Sequence, residues 1–237
     1  MVSGEFCSMT ALHNTIPDAT PEPLGWGTYA SNPKVHFFLC RFIDMVDEIP
    51  GSYVSVVFIP FTISNWATTD ALGTSIITPK CLLLSCNTDP EMCADIQTFT
   101  AKVAELHTKG ISPNGKYGFS VPTFMGQMPQ YTAWTDSWEE FFTNSMQQLM
   151  TTIKESQGPD AELGLLFGQT ISKVIPRLLR RLETGGRQIK PSLVHGDLYS
   201  GNVSVDAVTG RPILYDATCL YAHNECESSS LTHIWHR

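Results

Sequence analysis

At 237 residues, with 42% hydrophobic and 16% charged side chains, the chain carries enough apolar material for a globular core and has no disordered or fibrous bias. A formal net charge of -8 excludes a broad electrostatic grip on nucleic acid or on an anionic membrane, since both need basic surface. Phosphate ligands stay open, because backbone donors and a metal ion can hold them on an acidic protein.

The seven cysteines (Cys7, Cys40, Cys81, Cys86, Cys93, Cys219 and Cys226) include no Cys-x-x-Cys pair. The reading is a reduced, cytoplasmic chain, not a disulfide framework or zinc finger. The opening MVSGEFCSM lacks a basic segment followed by an apolar run, so no signal peptide is expected. Spanning a membrane takes roughly 20 uninterrupted apolar residues. The longest candidate, Tyr53 to Ile63, is shorter and broken by Pro60.

In chain order, residues 3–16 predict a helix capped by Ser3, with Phe6, Met9, Leu12 and His13 at helical spacing. Pro17, Pro21 and Pro23 end it. Trp26–Tyr29 and Val35–Phe42 predict strands around a Ser-Asn-Pro turn, and the continuous apolar run from Val35 to Cys40 suggests a strand covered on both faces. Residues 51–88 carry only Asp70 and Lys80 as charges and have no clean period. From Asp89 a helix with Ile96, Phe99, Val103 and Leu106 runs to about Gly110. Asn114-Gly115 and Tyr117-Gly118 read as turns, and Pro122 opens a loop. A helix starts at Asp136-Ser137-Trp138. Another spans Ala161 to Glu183, with Leu165, Leu166, Ile171, Val174, Ile175, Leu178, Leu179 and Leu182 on its apolar face and a kink at Pro176. Short strands follow at Ser192–Val194, Val203–Val205 and Ile213–Asp216.

The chemistry concentrates in Leu193-Val194-His195-Gly196-Asp197-Leu198-Tyr199-Ser200-Gly201-Asn202 and the hairpin that ends at Asp216. Phosphoryl transfer needs a carboxylate to accept the hydroxyl proton, then an amide and a second carboxylate to hold Mg²⁺ on the phosphates. Asp197, Asn202 and Asp216 stand in that order. A hairpin between Asn202 and Asp216 lets two hard oxygen ligands converge on one metal. A lone His-Gly-Asp is more often a simple turn; the joint pattern carries the reading.

These stretches resemble the fructosamine kinase (ketosamine-3-kinase) family. The matching segments are Gly4-Glu5-Phe6, Pro23 to Tyr29, His36 to Cys40, Val103 to His107, Gly115 to Phe119, Asp136 to Phe142, HGDLYSGN and Tyr221 to Glu225. The resemblance implies an α+β, protein-kinase-like two-lobed fold, with a truncated N-terminal lobe and a mostly helical C-terminal lobe. It implies ATP-dependent phosphorylation of the 3-hydroxyl of ketosamines on protein lysines, a deglycation repair, with ATP and Mg²⁺. By the same resemblance Asp197 is the base and His195 supports its loop. Asn202 and Asp216 are the metal ligands, and Tyr199, where the family usually has Trp, packs on the sugar. The backbone of Leu39, Cys40 and Arg41 forms the adenine hinge, and Glu5 is the helix glutamate that pairs with a phosphate-holding lysine.

Departures bear on activity. The family's lysine-bearing strand precedes the Gly-Glu helix, whereas here Glu5 lies four residues from the first residue, and Lys34, Lys80 and Lys102 stand in the wrong places. The expectation is an impaired enzyme, with an inactive pseudokinase remnant or an aminoglycoside- or choline-type phosphotransferase as alternatives. The domain reading is 1–50 partial small lobe and hinge, 51–88 an atypical insert whose codons fit a retained intron, 89–227 catalytic large lobe, and 228–237 a tail outside the family pattern. His233-x-x-His236 reads as part of that solvated tail.

Overall fold

The computed structural model describes residues 1–46 and 90–227. Helix α1 (Val2–Thr15) opens the chain, and Met9, Leu12 and Ile16 put its apolar side into the core at 0–1% exposure. Its cap position is Met1, with no side-chain cap bond, so the predicted Ser3 cap is not used. Strands β1 (Pro23–Tyr29) and β2 (Asn32–Cys40) form an antiparallel ribbon in which Trp26 pairs with Phe38. The ribbon sits on α1 through Phe38, whose ring meets Phe6 edge-on at 6.2 Å.

The expectation of a doubly covered β2 fails. Val35, Phe37 and Leu39 are 39–53% exposed, because among the described residues only the Phe38 side of the ribbon has a packing partner. Strand β3 (Met45–Val46) pairs with β7 (Val203–Asp206), which in turn pairs with β8 (Pro212–Leu214).

Helix α2 (Pro90–Lys109) follows and buries Leu106 completely. Tyr117 and Gly118 are bridge positions rather than a turn, paired to Thr135 and Tyr221. The loop predicted after Pro122 holds a small hairpin, β4 (Phe124–Met125) and β5 (Met128–Pro129). Helix α3 (Trp138–Gln157) begins where predicted, with the Ser137 hydroxyl accepting from Glu140 N at 3.2 Å.

The predicted 161–183 helix is α4 (Ala161–Gln169), a π-helical turn over Thr170–Val174, α5 (Ile175–Leu179) and a 3₁₀ turn. The irregular turn precedes Pro176, which then occupies the first turn of α5, where its missing N–H costs least. Its expected apolar face is half open: Leu165, Leu166, Val174 and Leu178 are 45–63% exposed, whereas Ile175 is buried and Leu179 and Leu182 pack against the core.

The fully buried β6 (Ser192–Val194) pairs with β9 (Leu220–Ala222), a strand not anticipated from sequence. All described strand pairs are antiparallel, so the architecture is mixed helix and antiparallel sheet. Among the described residues no helix is long and apolar enough to cross a membrane.

Candidate active site

Strand β6 delivers His195-Gly196-Asp197 from the core to a cavity of about 220 Å³. Gly196 makes the exit possible. Its φ is +84°, and a Cβ there would run into the backbone carbonyl of Thr218. Asp197 faces the cavity together with Glu5, Ser8, Thr123, Phe124, Asp216 and Thr218.

Past Asp197 the chain makes a 3₁₀ turn (Ser200–Asn202) and enters the β7–β8 hairpin. Asp206 closes the hairpin by accepting from Val208 N and Thr209 N at 2.7 and 3.1 Å. The hairpin's return brings Tyr215 N onto Asn202 O at 3.1 Å, which sets Asp216 beside Asn202.

Asn202 is 3% exposed, and its Nδ2 donates to Asp197 O at 2.8 Å and to Asp197 Oδ2 at 3.2 Å. That orients the Asp197 carboxylate and leaves Asn202 Oδ1 without a donor among the described residues. Asp216 has φ +56°, the left-handed region, and is the non-glycine residue found there among those described. Such strain is characteristic of functional loops.

Oxygen atoms from one amide and one carboxylate suit Mg²⁺, which keeps much of its shell for water and phosphate. No described cluster of three or more His, Cys, Asp or Glu side chains forms a dedicated metal cage.

Burial, the largest influence, pushes the Asp197 carboxyl above its ordinary value, opposed by the Asn202 hydrogen bond. Burial likewise lowers His195, which is 0% exposed, so the ring is neutral at pH 7. Its Nε2 lies 3.0 Å from the Tyr215 carbonyl and its Nδ1 3.4 Å from the Asp197 amide. These partners set the tautomer: Nε2–H donates and Nδ1 accepts. His195 ties the loop to β8 from behind and does not line the cavity. Glu5 is raised by burial first and by the Asp216 charge second. Among the described residues no lysine or arginine pairs with it. Lys102, weighed above as a substitute, is bound to Asp18 and Glu105 at 2.7 Å each.

Other predicted residues lie elsewhere. The Tyr199 ring packs over Gly201 and is 41% exposed, outside the cavity lining. Leu39 and Cys40 end β2 and Arg41 follows it; none of the three lines the cavity, and Arg41 N donates to Glu22 O at 2.8 Å. Lys80 and His233-x-x-His236 fall outside the described residues.

Sequence reasoning missed Glu227. Its 3% exposed carboxylate accepts from His195 N at 2.5 Å, Gly196 N at 3.0 Å and His107 Nε2 at 3.4 Å. It also missed Thr123 and Phe124, which form one cavity wall from a segment that read as loop. A lone Glu in a short turn carries no sequence signal for such a role. For the wall, the signal was the spacing of Phe124-Met125 and Met128-Pro129 around Gly126-Gln127.

A family model described as fructosamine kinase matches residues 82–235. The chain belongs to the fructosamine kinase family. It is 33% identical over 126 residues to the rice (Oryza sativa subsp. japonica) chloroplastic protein-ribulosamine 3-kinase, covering 53% of this chain and 34% of that protein. It is 36% identical over 112 residues to mouse (Mus musculus) ketosamine-3-kinase, covering 47% of this chain and again 34% of the relative. The chain thus spans about a third of the length of these curated fructosamine kinase relatives. A solved Thermobifida fusca structure described as a fructosamine-3-kinase shares the fold at a TM-score of 0.62 and 14% identity, over 98% of this chain and 59% of that one. A Haemophilus somnus structure described likewise gives 0.55 and 18%, over 99% and 64%.

Proposed function

We propose that the chain phosphorylates ketosamines with ATP, at the 3-hydroxyl of fructosamine or ribulosamine adducts on protein lysines, and so serves deglycation. The observation that carries this reading is that Asp197 and Asp216 line one cavity while the buried Asn202 amide bridges them, donating to Asp197 Oδ2 at 3.2 Å and to Asp216 O at 3.5 Å. The chain's family supports the substrate class.

Asp197, oriented by Asn202 Nδ2, accepts the proton of the attacking hydroxyl. As the new O–P bond forms to the γ-phosphorus, the bond to the bridging β–γ oxygen breaks and ADP leaves. Burial-raised basicity suits Asp197 to hold that proton. Asn202 Oδ1 and the Asp216 carboxylate would hold Mg²⁺, which when bound neutralises phosphate charge. Neutral His195 and the Glu227 carboxyl hold the loop from its buried side. We assign the exposed Tyr199 face to the sugar and the Leu39–Arg41 backbone to the adenine. In this reading residues 1–50 belong to the small lobe, 51–88 are an insert, 89–227 are the large lobe and 228–237 a tail.

An ATP-consumption assay with fructosyl- and ribulosyl-lysine tests the reading, with choline and an aminoglycoside as controls. Turnover of a ketosamine that is lost in Asp197→Asn supports it. Preference for either control overturns the substrate class, and undiminished turnover in Asp197→Asn overturns the base.

A further inference from the structure

We propose that His107, in the last turn of α2, is a positioning residue for the phosphoryl-transfer loop that acts through Glu227. The inference rests on the kinase reading of Asp197. A carboxylate taken out of water is costly unless donors surround it. Glu227 is 3% exposed and has three. Two are the consecutive backbone amides of His195 and Gly196, at 2.5 and 3.0 Å, one on each carboxylate oxygen. Together they fix the peptide planes immediately before Asp197, where Gly196 already occupies the left-handed region. The third donor is His107 Nε2, 3.4 Å from Oε2, reaching across 120 residues of sequence.

The two amides belong to the loop being held, so they cannot fix Glu227 in space. Glu227 itself sits in a one-turn 3₁₀ segment, Asn224–Glu227. The reference point comes from α2, which is locked to the core. Leu106 is 0% exposed, Leu193 N donates to Gly110 O at 2.5 Å, and Ser112 N donates to Pro191 O at 3.0 Å. Helix α2 therefore carries His107 as a fixed donor, Glu227 is anchored on it, and the amides of residues 195 and 196 are anchored on Glu227. A polar donor facing a buried carboxylate offsets part of its desolvation cost, and removing that donor leaves the cost uncovered. Loss of His107 removes the one side-chain donor to Glu227 from outside the loop among the described residues, while the turn's packing through Cys226 and His223 remains.

The test uses the full 237-residue chain and amide hydrogen exchange at His195 and Gly196, referenced to the Phe141 amide of α3 so that global unfolding is subtracted. His107→Leu removes the donor. His107→Gln restores an amide N–H at nearly the position of Nε2. The expected result is exchange at His195 and Gly196 raised about tenfold in His107→Leu and within about twofold of the parent in His107→Gln. In a Glu227→Gln background, His107→Leu should add nothing. With a ketosamine substrate, kcat should follow the exchange while KM for Mg-ATP stays within about twofold. Unchanged exchange in His107→Leu, equal losses in the Leu and Gln variants, or additivity with Glu227→Gln would each overturn the proposal. A parent that phosphorylates no ketosamine would instead overturn the kinase reading, because exchange reads the anchor without turnover.

Discussion

Gly196→Ala puts the loop geometry to a quantitative test. At φ +84° the residue lies where an L side chain costs about 1–2 kcal/mol. The added methyl would also meet the Thr218 carbonyl and lie 2.9 Å from the Thr218 hydroxyl. The carbonyl is backbone, and Thr218 N donates to His195 O at 2.9 Å. The two segments must therefore part, straining a hydrogen bond worth about 1 kcal/mol. The expected loss is about 2–4 kcal/mol, read as a lower urea midpoint at unchanged slope. Adding Thr218→Ala separates the causes. The Thr218 hydroxyl is buried and has no hydrogen-bond partner among the described residues, so removing it costs little and leaves the carbonyl in place. The double variant should stay within about 0.5 kcal/mol of Gly196→Ala. A loss below about 1 kcal/mol, or recovery in the double variant, would refute the steric argument.

Three further outcomes are expected. Asp216→Ala should sharply weaken Mg²⁺-dependent ATP binding by calorimetry; unchanged affinity would remove Asp216 from the metal site. Tyr117→Phe should cost about 1–2 kcal/mol in urea unfolding, because Tyr117 OH donates to Glu183 Oε1 at 2.9 Å in the core and the carboxylate would lose that donor. Hydrogen bonds from Lys102 and Lys109 hold Glu105 down at about 2, below its ordinary 4.5. A depressed carboxyl stabilises above its unfolded value and loses that stabilisation as pH falls through its folded one. Glu105→Gln should therefore be less stable than the parent at pH 7, with the gap closing between pH 4.5 and 2. A gap that persists at pH 2 would refute the pairing.

The candidate segment stood out because the proposed chemistry constrains both residue types and spacing: a carboxylate, an amide and a second carboxylate around one hairpin. The Asn202–Asp197 bond is the physical counterpart of that spacing. The start of α3 was legible for a local reason, since Ser137 caps it within one turn. Coverage was not. The run from Val35 to Cys40 is apolar, but a strand's sequence does not say whether anything lies on its second face. In 161–183 the periodicity identified an apolar stripe and could not supply its partner. Glu227 escaped because its role depends on backbone amides 31 and 32 residues away, which leave no trace in side-chain pattern. The glutamine in Thr123–Gln130, whose Oε1 accepts from the threonine hydroxyl at 2.8 Å, likewise secures the cavity wall through a contact no local motif marks.

The bond from Cys219 N to the Ser8 hydroxyl, 3.0 Å long and spanning 211 residues, bears on how the protein is made. Ser8 of helix α1 is synthesised 211 residues before Cys219, which forms part of the helix's docking surface just ahead of β9. At about 5–20 residues per second, the helix waits roughly ten to forty seconds for that partner. Throughout that interval Met9, Leu12 and Ile16, fully enclosed in the finished protein, are missing part of their cover. Contacts of such long range also slow folding. Nascent chains should accordingly engage chaperones through α1, and slowing elongation after residue 200 should lengthen that engagement.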